Sequence, residues 1–162
     1  MPANLLGQLF MIDQSDFPRA GVLRRLGALI YDGLLAMAIS MAYGGLTVYL
    51  RYGVLGETLA AGEKAQSGTP EFVGMVIVVS VFFCFFWRRA GQTLGMRAWR
   101  LRLQQKDGGL PSWKQCILRA AIAPYSIAFF GIGYLWCLID KEGDAAHDKL
   151  GGLQVVVLPK GH

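Results

Sequence analysis

The sequence is short of charge. Only 17% of its 162 residues are Asp, Glu, Lys or Arg, against about 25% in ordinary soluble domains. It holds two histidines, His147 and His162, which leave little material for a metal centre. Its three cysteines, Cys84, Cys116 and Cys137, are odd in number and lie in apolar or helical segments. They read as small buried hydrophobes rather than a disulfide framework or a metal site. No nucleophile–base pairing, glycine-rich phosphate loop or zinc spacing appears, so neither an enzyme nor a cofactor is expected. Nor is any basic patch interleaved with aromatics, which argues against a nucleic-acid partner. Residues 1–17 carry Asp13 and Asp16 with no positive stretch ahead of their short apolar patch, unlike a signal peptide.

What the chain has instead is apolar material, 54% of its residues, with a mean hydropathy of +0.39. It is gathered in runs longer than a water-soluble core of this size could bury, which places the chain in the membrane class. Residues 26–50 contain one charge, Asp32, and as a helix they cover the roughly 30 Å hydrocarbon core. The run 72–87 is shorter and spans by recruiting Pro70 and Glu71 at one interface and snorkelling Arg88 and Arg89 at the other. The run 116–139 is interrupted by Pro124, Gly131 and Gly133 and carries Arg119. We therefore expect helices over about 22–50, 70–89 and 113–140, the last with room for a break near 124–133.

The net charge is +5, and its cations border the apolar runs. Arg19, Arg24 and Arg25 precede the first run. Glu57, Glu63 and Glu71 outnumber Arg51 and Lys64 in the loop after it, and seven cations between residues 88 and 114 meet only Asp107. The positive-inside rule then puts the N-terminus and the 88–114 segment in the cytoplasm. Within that segment, 98–104 alternates apolar and polar residues with a period of two, followed by the turn Lys106-Asp107-Gly108-Gly109. A second β-rich stretch, 153–158, follows Gly151-Gly152. Neither strand is stable alone, so we expect them to pair. Pairing would bring the C-terminus to the cytoplasm. The rival is a simple third crossing with an external tail. The expected fold is an all-α membrane protein, a small multi-pass helical bundle with a minor cytoplasmic β-element. An N-terminal cytoplasmic segment, 1–18, precedes a membrane domain over 19–158.

Asp32 is the sharpest functional signal. A carboxylate inside an apolar helix costs about 2.5–3.5 kcal/mol at mid-membrane, and something must offset it. Ala28, Asp32, Ala36, Ser40 and Gly44 form a ridge of small residues at successive i+4 positions, which lets another helix approach and turns Asp32 toward protein. Arg25 stands seven residues earlier on the same face, about 10 Å along the axis. The pair reads either as a proton or cation site or as a structural ion pair that fixes helix packing. Near the other end, Asp140, Asp144, His147 and Asp148 form a polar cluster suited to capping and to salt-bridging the arginines of 88–102.

In order along the chain, "RRLGALIYDGLL", "GQTLGMRAWRLRLQQKDGGLPSWKQCILRA" and "HDKLGGLQVVV" resemble the RDD family of bacterial membrane proteins, over roughly residues 19–158. The resemblance assigns the family arginine to Arg25, with adjacent Arg24 as competitor. It assigns the family aspartates to Asp32 and Asp148, beside His147, with Asp140 as a competing acid. The chain departs from the family's terminal pattern, with Gly151 and Leu153 where a small residue and a threonine are usual. The resemblance implies a multi-pass protein of the bacterial cytoplasmic membrane, for which transport, including Na+/H+ antiport, has been suggested. On that reading Asp32 is the protonatable ligand and Arg25 its charge-balancing neighbour, while Asp148 with Arg97 or Arg100 forms a cytoplasmic latch. Three or four short helices are too few to enclose a pathway, so a homo-oligomer or a larger membrane partner is expected besides the bilayer. The alternative is a non-catalytic accessory subunit of a larger membrane complex.

Overall fold

The computed structural model describes residues 17–58, 68–128 and 144–159. The first apolar run forms α1, Val22–Val48, and continues without a break into a π-helical turn, Tyr49–Val54. Together they make 33 residues, about 50 Å at 1.5 Å per residue. The second helix, α2, spans Thr69–Ala90, with Pro70 and Glu71 in its first turn and Arg88 and Arg89 in its last. Those positions match the helix dipole and the missing proline N–H. At the far end of the pair, Arg51 donates to Glu57 at 2.8 Å and to Glu71 at 3.1 Å.

Both helices are long and apolar enough to cross a membrane. Their apolar side chains mostly face outward: Met41 is 70% exposed and Val81 59%. Large continuous apolar surface of this kind marks contact with lipid or with another protein.

Five shorter elements gather at the other end. They are α3 (Leu94–Ala98), β1 (Leu101–Gln105), α4 (Trp113–Ala128), α5 (Ala146–Leu150) and β2 (Leu153–Val157). The turn from α2 into this base depends on Gly91, in the left-handed region at φ 67°. Its N–H donates to the Trp87 carbonyl and its own carbonyl accepts from Leu103 at 2.7 Å. A Cβ there would fall 2.5 Å from the Leu103 oxygen, so both backbone angle and space call for glycine.

β1 and β2 pair antiparallel, from Leu101 opposite Val157 to Gln105 opposite Leu153. The pairing expected between 98–104 and 153–158 is present, but β1 begins three residues later than the alternation suggests. Ala98 closes α3, and Arg100 turns the chain with φ at 55°. Trp99 therefore leaves the strand, and its ring covers Gly27 of α1, where an added Cβ would lie 2.3 Å from it. On the outer edge of β2, Arg19 forms a bridge to Val156, with Ala20 donating to Val155 and Val157 to Pro18, both at 2.9 Å. β2 thus lies between β1 and the start of the described chain.

The hydrophobic core sits in this base. Leu101, Leu103, Leu153 and Val155 are buried with Cys84, Trp87, Met96 and Cys116, each large apolar side chain contributing roughly 1.5–3 kcal/mol. Cys84 and Cys116 are free thiols. Pro124 lies inside α4, where it has no N–H for the Ala120 carbonyl one turn back. The rest of the expected third helix and of its break, together with Cys137, lies outside the described residues.

Candidate functional site

The base of α1 carries a buried cluster of charges. Arg25 is the fourth residue of α1, and its side chain turns back toward the helix N-terminus, as helical side chains do. Its Nε donates to the Ala20 carbonyl at 2.9 Å and its Nη1 to Oδ2 of Asp148 at 2.8 Å. The other oxygen of Asp148 lies 3.0 Å from Nε of Arg119, on α4. Asp148 is fully buried between the two guanidinium groups. Asp144 completes the group, 4.0 Å from Arg25 and 3.8 Å from Arg19. Arg119 also lies over the ring of Trp87, 4.6 Å from its centroid, a further favourable contact for a cation.

Asp32 belongs to a second, separate set of bonds. Thr93 Oγ1 donates to its Oδ2 at 2.5 Å, and the Gly95 N–H donates to its Oδ1 at 2.9 Å. Thr93 at the same time caps α3, accepting from the Met96 N–H at 3.1 Å. The carboxylate thus ties α3 to the side of α1. Gly95 permits the approach, since a Cβ there would fall 2.5 Å from the Ala28 carbonyl and 2.7 Å from Asp32 Oδ1.

These contacts correct two of the expected pairings. Arg25 does not balance Asp32, because its side chain runs toward Asp148 and away from the helix interior, while α3 supplies the donors of Asp32. Asp148 does not latch onto Arg97 or Arg100. Those arginines flank the turn between α3 and β1, and Arg25 and Arg119 take the aspartate instead. Between the two candidate arginines of α1, Arg25 is the buried one; Arg24, about 100° around the helix, is half-buried. The backbone of His147 lies in α5, but its side chain, like all of Asp140, lies outside the described residues. Among the described residues no group of three His, Cys, Asp or Glu side chains is placed to hold a metal.

The ridge of small residues divides. Ala28 is buried, Asp32 and Ala36 are half-buried, and Ser40 donates to its own helix at the Ala36 carbonyl. A Cβ on Gly44 would meet nothing within 4 Å. The close approach is therefore made by α3 at the lower half. Sequence reasoning passed over Thr93, Gly95 and Arg119 as site residues. For Arg119 the signal was there, a charge in an apolar run, the same oddity that singles out Asp32.

A cavity of about 290 Å³ connects the two sets of bonds, bounded by α1, α2 and α4. Arg25, Asp32 and Arg119 are its charged walls, and the remainder is chiefly apolar, including Ala36, Val79 and Ala123. The size is near the lower limit for small-molecule sites, about 300–1,000 Å³.

Comparison with curated proteins and with solved structures finds no match. A family model described as RDD family matches residues 19–152. The matched stretch runs from the bridge at Arg19 to the turn before β2 and takes in Arg25, Asp32, Arg119 and Asp148. The chain belongs to the RDD family.

Proposed function

We propose that this protein is a multi-pass protein of the bacterial cytoplasmic membrane that carries a cation, or a solute coupled to protons, across the bilayer. One observation carries the reading: Asp32, on an apolar helix long enough to span, lines a cavity whose other charged walls are Arg25 and Arg119. An ionisable residue at such a position is expensive and is usually kept for substrate, ion or proton handling. The outward apolar faces of α1 and α2 support membrane insertion. The basic segments flanking them support a cytoplasmic base, and the β1–β2 pairing supports a C-terminus on the same side. So few helices also favour a homo-oligomer.

The test is flux. Purified protein in vesicles holding a pH-sensitive dye is exposed to Na+ or K+. Wild type should move protons in response to one of them, and Asp32→Asn should not. Asp32→Glu is the control, because it keeps a carboxylate at the position. Flux lost in Asp32→Asn and retained in Asp32→Glu assigns the loss to the charge. Absence of wild-type flux with either cation counts against transport.

A second reading has its own support. Both oxygens of Asp32 already accept hydrogen bonds, as befits a structural tie, and much of α1 and α2 is apolar and uncovered. An accessory subunit docking on a larger membrane complex fits those two facts. Co-purification of a stoichiometric partner, with no flux, would favour it.

A further inference from the structure

Among the described side chains that line the cavity, donors outnumber the acceptors left to meet them. Arg119 is buried; its Nε approaches Asp148, and its Nη1 has no hydrogen-bond partner among the described residues. Trp87 lines the same cavity, and its Nε1 is likewise buried without a partner. Asp32, the acid of the lining, has both oxygens engaged. The unmet demand is for an acceptor, and a buried donor left unpaired costs about 1–3 kcal/mol.

Position along the helices narrows the class. Arg25 is the fourth residue of α1 and Arg119 the seventh of α4, so both lie within about 10 Å of the helix starts. With the base at the cytoplasmic surface, that is the depth of lipid phosphates and glycerol linkages, since headgroup regions extend a bilayer from about 30 to about 40–45 Å. Beyond Asp32 the walls become apolar, at Ala36 and Val79. Two arginines at headgroup depth, one of them with an unpaired donor, lead into an apolar groove, an arrangement that suits the phosphate and chain of an anionic amphiphile. Basic pockets between helices on the cytoplasmic side take such headgroups.

We infer that the cavity between α1, α2 and α4 is a binding site for an anionic phospholipid of the cytoplasmic leaflet. Its phosphate sits on Arg119 beside Arg25, and one acyl chain lies along Ala36 and Val79. Arg119 suits the role because its planar fork can serve Asp148 through Nε and a phosphate through its remaining donors. Asp32 stands about 10 Å further along α1 than Arg25, and both of its oxygens already accept hydrogen bonds. The inference rests on the membrane-spanning part of the proposed function and not on transport.

Native mass spectrometry of the full chain in detergent, with equal amounts of phosphatidylglycerol and phosphatidylcholine, tests it. The wild type should retain phosphatidylglycerol in preference by about tenfold, because phosphatidylcholine carries the same phosphate but adds a choline cation that Arg25 and Arg119 disfavour. Arg119→Gln removes that cation, and Ala36→Phe fills the chain groove without touching an ion pair; both should lose most of the preference. Equal retention of the two lipids by wild type overturns the inference, and so does a preference untouched by both variants. Displacement of the lipid by millimolar inorganic phosphate alone would show a site for a free anion and overturn it too. Alkaline extraction of membranes keeps the two failures apart. A chain released by alkali sinks the membrane reading, whereas a chain that stays embedded but shows no lipid preference sinks only this inference.

Discussion

Arg25 donates to Asp148 across 123 positions of sequence, at 2.8 Å, with the arginine side chain 3% exposed and the aspartate fully buried. The same aspartate meets Arg119 on its other oxygen. Three elements far apart in the chain, α1, α4 and α5, are thereby joined at one carboxylate.

Replacing that carboxylate by an amide leaves two buried guanidinium groups without the counter-charge they share. Asp148→Asn is expected to destabilise the fold by about 3–5 kcal/mol, the usual loss when one partner of a buried pair is deleted. Replacing Arg25, Arg119 and Asp148 together by Met, Met and Leu should recover part of that loss, since an apolar replacement of the whole buried set is far better tolerated than loss of one member. Thermal unfolding of the purified variants reads both values. A triple variant no more stable than Asp148→Asn would count against a jointly buried set.

The tie between Asp32 and α3 predicts a local effect. Thr93→Val removes both the donor to Asp32 and the cap on Met96. Hydrogen exchange at the amides of 94–98 should rise sharply, while α2 keeps its protection. Thr93→Ser keeps the hydroxyl and should leave exchange near wild type. A lost cap costs roughly 0.5–2 kcal/mol, and the bond to a charged group a further 1.5–3 kcal/mol or so.

Two glycines of the base should behave differently. A methyl at Gly27 meets the Trp99 ring, whereas a methyl at Gly95 meets the Ala28 carbonyl and the Asp32 carboxylate. Both alanine variants should lose stability, by about 1–3 kcal/mol for overpacking. Trp99→Ala should rescue Gly27→Ala in part, because it removes the obstructing ring. It should do nothing for Gly95→Ala, where the obstacle includes backbone. Unfolding midpoints of the four variants decide.

Strand register can be tested covalently. Arg102 stands opposite Val156, within the 4.4–6.8 Å Cα range of a disulfide. Arg102→Cys with Val156→Cys should cross-link under mild oxidation, and Gln104→Cys with Val156→Cys should not. Efficient linking of the second pair would mean a shifted register.

The sequence was informative where the signal is periodic or local. α1 and α2 announce themselves by long apolar runs with basic ends, and β1 and β2 by short β-rich stretches beside glycine turns. α3 does not, because five residues are too few to show a period, and its existence depends on Thr93 and on a docking place beside Ala28 and Asp32. Arg25, Asp32 and Asp148 stand out in the sequence as charges but not by their partners. Seen along one helix, Arg25 and Asp32 look like neighbours; in three dimensions each is claimed by a segment whose arrival no local pattern reveals. Arg119 shows the opposite case, an oddity visible in the sequence whose role needed Asp148 beside it.

β2 lies between β1 and Arg19 and comes after nearly everything it holds together. As the chain leaves the ribosome, α1 and α2 can form early, but the sheet at their base waits for residues 153–157. Until α5 emerges, Arg25 and Arg119 have no Asp148, and their charges must remain hydrated. Closure of the base is thus a late, long-range step, the kind that loop-closure entropy makes slow. A chain stalled or cleaved before residue 148 would present an unfinished cationic end with exposed strand edges, a plain mark by which quality control can tell an incomplete molecule from a finished one.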